Sequence, residues 1–285
     1  MSSSRLTAVY FSLANSHHNE GTPYSLDNRI STIIEYFTLL LPSVSLFLLT
    51  EGRSCTIDNH ATDAIDIGYK MAKSLGMWFS VLSNHGMNSS SPAKIVIYDQ
   101  TKLFLLLNRN YYSGLSRMLP SGKNYCQCVS GFKFHRILAD TYDNQGQCMI
   151  DPKLVFNLGF IHAPTDTEGR DDLFKMMVQE FASSSQPWIF PGDYNLFAND
   201  STQQKELLNN HFINMTTDIG TTFIGYPHDV DSNGVPYVGS LDRVYINYNF
   251  ADQFGSEVTV VANDIIHRGV RLSDHYLLTI DITFE

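Results

Sequence analysis

The chain has 285 residues, 43% hydrophobic and 17% charged, a balance that excludes a disordered or fibrous protein. Sheet-rich folds of this length often form one unit, so a single domain over residues 1–285 is expected. A net charge of −10 and a pI near 5.4 exclude a generic nucleic-acid coat, because the surface as a whole repels a polyanion. Any phosphate contact must then be local. A carboxylate cluster holding a divalent cation would fit the charge, although plain solubility is the simpler reading of charge alone.

Residues 6–13 form an apolar, β-branched and aromatic run bounded by polar residues, the pattern of a strand buried on both faces. In residues 28–41, Ile30, Ile33, Ile34, Phe37, Leu40 and Leu41 recur at helical spacing until Pro42 ends the helix. Residues 45–49 read as a second buried strand. A helix over 63–75 follows, then strands over 94–98, 103–108 and 132–142, with the polar stretch 88–92 as a linker. Residues 156–162 are expected as a strand. Residues 171–182 are expected as a helix with Leu173, Met176, Met177 and Phe181 on one face, and 188–190 as a strand. The last strands are placed at 241–247, 258–261 and 276–284. Strands dominate both halves, which predicts an α/β (α+β) fold of two packed mixed sheets flanked by helices.

The most apolar run, residues 39–50, contains Pro42 and falls far short of the roughly twenty residues that span a bilayer. No transmembrane segment is expected. The first 21 residues lack a convincing signal-peptide pattern, so a cytosolic location is favoured. Cys55, Cys126, Cys128 and Cys148 are too few for a disulfide scaffold. A bridge from Cys126 or Cys128 to Cys148 and a set of free thiols both fit the spacing. Nothing in the sequence defines an oligomeric state.

Chemistry concentrates in short segments that follow predicted strands: Phe11-Ser12, Glu51-Gly52-Arg53, His162-Ala163-Pro164-Thr165-Asp166, Gly192-Asp193-Tyr194-Asn195 and Ser273-Asp274-His275. Another, Asp242-Arg243-Val244, opens a strand. Singly, each carboxylate reads as a turn or cap residue and each histidine as a structural group. In this order they resemble the endonuclease/exonuclease/phosphatase superfamily. Within it the match is closest to deoxyribonuclease I, with Phe134-His135-Arg136 adding to the similarity. The two most specific elements are Gly192-Asp193-Tyr194-Asn195 and Ser273-Asp274-His275, about eighty residues apart.

The resemblance implies a four-layered α/β sandwich with the active site at one end of the two sheets. It also implies a metal-dependent phosphodiesterase using Mg²⁺, with Mn²⁺ as an alternative, in which water attacks in line. Glu51 and Asp274 correspond to metal-ligating carboxylates, and oxygen donors suit such hard cations. Asp193 and Asn195 correspond to the pair that positions the water or the phosphoryl group. His275 with Asp242 as its acid, and His162, correspond to the two histidines flanking phosphorus. Arg53 and Arg136 correspond to phosphate-binding arginines. DNA is the first substrate expected. Relatives with the same core residues act on sphingomyelin, inositol phosphates, RNA 3′ ends or protein–DNA adducts, so a phosphomonoesterase or lipid phosphodiesterase is the alternative. Two departures stand out. Ser12 replaces the asparagine usual at the first strand's end, which weakens a metal ligand and motivates a third reading as a binding module. No carboxylate in 91–94 is present to orient His162.

Overall fold

The computed structural model describes residues 4–13, 26–54, 61–82, 92–110, 129–138, 142–147, 149–163, 167–196, 205, 207, 209, 212–216, 219, 222–224, 231–235, 237–254 and 258–284. The first sheet contains β1 (Ser4–Ser12), β2 (Leu46–Ser54), β3 (Trp78–Leu82), β4 (Pro92–Tyr98), β13 (Val258–Asn263) and β16 (Leu277–Phe284), in the order β13-β16-β1-β2-β4-β3. The second contains β5 (Leu103–Asn110), β6 (Val129–Arg136), β7 (Val155–His162), β8 (Trp188–Asp193), β9 (Phe212–Asn214) and β12 (Asp242–Asn247), in the order β5-β6-β7-β8-β12-β9. Helices α1 (Leu26–Leu40) and α2 (Ala61–Leu75) belong to the first half, and α3 (Thr167–Met177) to the second.

Each sheet has one parallel pair joined through a helix, β1-α1-β2 and β7-α3-β8, and its other pairs are antiparallel. Alternation along the strands sorts the apolar residues into layers. Tyr10, Leu48, Val96, Phe156, Phe160, Val244 and Ile280 fill the space between the sheets. Val9, Phe11, Phe47 and Ile97 face outward and meet Phe37 of α1 and Met71 of α2. On the other side, Ile161, Phe190 and Tyr245 meet Leu173, Phe174 and Met177 of α3. The result is the four-layered sandwich, helices on sheet on sheet on helices. Phe37 stacks on Phe47 with centroids 4.6 Å apart, and burying such a side chain stabilises the fold by about 2 kcal/mol.

Several element boundaries differ from expectation. The strand expected at 45–49 runs to Ser54, and the one expected at 188–190 runs to Asp193. In both cases polar residues are carried on the ladder to the mouth of the sandwich. The strand placed at 132–142 is instead Val129–Arg136, because pairing with β7 ends at His135↔Val155. The helix expected over 171–182 begins at Thr167 and ends in a π turn, Val178–Ala182. Strand β3, the short pairs β10 (Phe223–Ile224) with β11 (Val238–Gly239) and β14 (Ile266–His267) with β15 (Val270–Arg271), and the helix Tyr248–Phe254 had no clear pattern in sequence. The linker at 88–91 and the cysteines lie outside the described residues.

Candidate active site

Register aligns the polar ends of three neighbouring strands. On β7 and β8, which are parallel, His162 pairs with Asp193. On β8 and β12, which are antiparallel, Asp193 pairs with Asp242. His162, Asp193 and Asp242 therefore stand in a row at one end of the second sheet. The closeness of β7 to β8 requires Gly192, since a Cβ there would collide with the Ile161 carbonyl. Gly192→Ala is expected to cost about 1–3 kcal/mol through overpacking. A thermal melt should therefore show a clearly lowered Tm, and an unchanged Tm would refute the packing argument.

His275 closes the row from the other sheet. Its Nδ1 lies 2.9 and 3.0 Å from the two oxygens of Asp242, and both residues are buried. The backbone around His275 is tied down at three points. Its own N–H donates to Ser273 Oγ at 3.0 Å, the Tyr276 N–H donates to the Thr222 carbonyl, and the Ile224 N–H donates to the Asp274 carbonyl. Phe223 sets its ring edge-on to the imidazole, 5.0 Å between centroids. Asp242 is held in turn: its N–H donates to Thr222 Oγ1 at 2.9 Å, and the side chains of Thr222 and Tyr10 hydrogen-bond its carboxylate. The Tyr10 contact joins β1 of the first sheet to β12 of the second.

Asp193 anchors the loop that follows it. Its Oδ1 accepts from the Asn195 N–H at 2.7 Å, and the Asn195 side-chain amide donates to the Ala163 carbonyl at 2.7 Å. Asn195 has φ +49°, a left-handed conformation that asparagine tolerates better than most residues. One of its amide hydrogens thus braces the β7 and β8 ends. The Nε2 of His162 lies 3.9 Å from Asp193 Oδ2.

Burial pushes the Asp193 carboxyl up to about 6; His275, His162 and the Asn195 N–H pull against that, and Asp242 adds to it. Burial also disfavours the imidazolium of His275. The charge of Asp242 and the hydrogen bond to it outweigh burial, with Asp274 and Asp193 adding, so His275 is held well above the usual histidine range. Burial raises the Asp242 carboxyl as well. These two groups form one coupled pair, and the direction that governs it is the raised histidine, because Nδ1 faces both carboxylate oxygens.

The expected metal residues converge only in part on described atoms. Ser12 is buried at the end of β1 and pairs with Thr50 of β2. Asp274 is buried within electrostatic reach of His275. Glu51 and Arg53 lie on β2, at and beyond a bulge after Leu49, and their side chains are outside the described residues, as is Asp166. Among the described residues no group of three His, Cys, Asp or Glu is arranged around a metal position. The donor chemistry nevertheless suits a hard cation: Asp193, Asp242 and Asp274 are three buried carboxylates around one imidazolium, an excess of negative charge that a dication would offset.

Arg136 is a correction. It ends β6, whose register with β7 puts Val129 beside Ile161 at the site end and His135 beside Val155 at the opposite end. There Arg136 donates to the Lys102 carbonyl and lies over the Phe284 ring. Strand direction removes it from the phosphate. Tyr10, Thr222 and Phe223 were not singled out from the sequence; each reaches the site through register or a loop bridge and belongs to no motif.

No family model matches the sequence, and no curated protein matches it significantly. Solved structures match over the full chain. An endonuclease/exonuclease/phosphatase family protein from Bacteroides thetaiotaomicron is 13% identical with a TM-score of 0.62, covering 100% of both chains. TDP2 from D. rerio, in complex with a single-strand DNA product, is 14% identical with a TM-score of 0.61, covering 98% of this chain and 99% of that one. A mannosyl-6-phosphatase from Bacteroides thetaiotaomicron VPI-5482 is 13% identical with a TM-score of 0.61, covering 98% and 100%. At such identities the likeness concerns the fold. The chain has the endonuclease/exonuclease/phosphatase, deoxyribonuclease I-like, fold that its motifs resemble.

Proposed function

We propose that the protein is a divalent-metal-dependent phosphoester hydrolase acting on a phosphodiester, with DNA as the first substrate to test. The observation that carries this reading is the row His162, Asp193 and Asp242 on adjacent strands, closed by His275 on Asp242. Asp242 keeps a proton on Nδ1 of His275 and so presents Nε2 to a substrate. A charged His275 donates to a phosphoryl oxygen as negative charge grows on it. Asp193, ionised above about pH 6, accepts from the attacking water and orients it for in-line displacement. His162, beside it, serves the leaving oxygen. The second amide hydrogen of Asn195 is directed to a phosphate oxygen.

Glu51 and Asp274 would be the oxygen donors for Mg²⁺ or Mn²⁺. When bound, the ion would neutralise charge on the phosphoryl group. Arg53 is the arginine that remains for a flanking phosphate.

A phosphomonoesterase is the second reading, favoured by the displacement of Arg136 and the net charge of −10. Among the neighbours, TDP2 was solved with a DNA product and another is named a mannosyl-6-phosphatase, so the fold accommodates both classes. The test is a Mg²⁺-dependent screen against plasmid DNA, RNA, mono- and bis-nitrophenyl phosphate, sphingomyelin and inositol phosphates. Turnover of DNA that falls steeply with salt supports the nuclease reading. Salt-insensitive turnover of monoesters supports the second reading, and no metal-dependent turnover of any substrate overturns both. Among the described residues no helix is long and apolar enough to cross a membrane.

A further inference from the structure

Helix α1 packs Leu26, Ile30, Ile33 and Phe37 into the core on the outer face of the first sheet, and Arg29, near the start of that face, is fully buried. An apolar side chain would fill the same space without the cost of desolvating a charge. What the guanidinium adds is a planar fork of donors. It donates to the Leu13 carbonyl at 2.7 Å and to the Leu272 carbonyl.

Both carbonyls border the site. Leu13 follows Ser12 at the end of β1, and its N–H donates to the Thr50 carbonyl at 3.0 Å. Leu272 precedes Ser273-Asp274-His275, and its N–H donates to the Ile265 carbonyl at 3.0 Å, closing the β14–β15 hairpin at its base. One side chain thus joins the end of a first-sheet strand to the segment that carries His275. Further along α1, Glu35 pairs with Arg268 of the hairpin turn, and the Tyr36 ring lies 5.7 Å from that of His267. The Glu35 pair is exposed and contributes little, so the buried fork is the tie that fixes the segment. The Ser273, Thr222 and Ile224 hydrogen bonds hold the segment from the side of β10; Arg29 holds it from the side of α1.

We propose that Arg29 is a positioning residue for the reaction, setting the spacing between the end of β1 and the Ser273-Asp274-His275 segment and so holding His275 on Asp242. The inference rests on the hydrolase reading above. Arg29 touches no reacting atom in this role and acts through the backbone of Leu272. The competing account is a strut that stabilises α1 against the first sheet and leaves the site unaffected.

Arg29→Lys separates the two, because it keeps the charge while an ammonium on a flexible stem does not reproduce the fork that holds both carbonyls. In the folded variant kcat should fall about 10–100-fold with KM within about threefold, the order expected when a reacting group moves by about an ångström. Hydrogen exchange gives a readout that needs no substrate. The His275 and Tyr276 amides should exchange about tenfold faster or more, beyond any change at Ile280 in the middle of β16, since loss of a charged donor loosens the segment locally. Equal acceleration at all three amides, or none, overturns the proposal and leaves the hydrolase reading intact, as does a lower kcat without faster local exchange. Absence of turnover in the wild type overturns the hydrolase reading, while the exchange rates still decide whether Arg29 fixes the segment. Should Arg29→Lys fail to fold, Arg29→Gln, which keeps a donor for one carbonyl, is read by the same measurements. Failure of both variants to fold identifies a strut and overturns the proposal.

Discussion

Replacing His275 with alanine is expected to lower kcat by about 10²–10⁴-fold, the usual contribution of a positioned general acid or base. Asp242→Asn should do comparable damage although it removes no bulk. Asp242 accepts at 2.9–3.0 Å from Nδ1 of His275 and also receives the Tyr10 and Thr222 side chains. An asparagine would turn either its carbonyl or its N–H₂ toward the ring. In the second case the proton moves to Nε2 and the imidazole presents the wrong tautomer. Steady-state kinetics on whichever substrate the screen identifies, with circular dichroism to verify the fold, measures this. Turnover within tenfold of the wild type in both variants would remove the dyad from the mechanism.

Asp193→Asn should separate stability from activity. A carboxyl with a folded pKa of about 6 and an unfolded pKa of about 3.9 binds a proton in the folded chain that the unfolded chain has already released. Stability therefore falls as pH rises from about 4 to about 6 and remains lower above that window. A difference of about two units corresponds to about 3 kcal/mol at neutral pH. Asparagine keeps an oxygen to accept the Asn195 N–H and has no charge to desolvate. In chelator, the variant's advantage in denaturant unfolding should grow from pH 4 to pH 6 and then level off, while turnover drops by orders of magnitude. A pH-independent difference would mean that Asp193 is not held in the desolvated state described here. That outcome would be the stability cost expected of a charge buried for function.

Much of the fold was legible. The apolar runs in 6–13 and 156–162 and the helical spacing of Ile30, Ile33, Phe37 and Leu40 are local patterns that report burial directly. Gly192-Asp193-Tyr194-Asn195 and Ser273-Asp274-His275 were legible through their resemblance to the family's motifs, and the structure shows the backbone each serves: a glycine where β7 crowds β8, an asparagine at positive φ, and a serine that accepts from the His275 N–H. The strands of two or three residues were not, since so short a run has no period. Thr222 and Phe223 sit on such a strand edge, and their importance comes from bridging to His275 and, for Thr222, from holding Asp242.

The sequence by itself determined which residue types stand at the strand ends, and hence the chemistry available there: carboxylates, amides and imidazoles suited to a hard cation and a phosphate. Tertiary structure alone decided which of them meet. Pairing of β8 with β7 and β12 sets His162, Asp193 and Asp242 side by side from positions up to eighty residues apart. The antiparallel course of β6 carries Arg136 to the far end. A motif records neighbours along the chain, whereas strand direction and register are set by the packing of whole sheets, and no short segment contains that information.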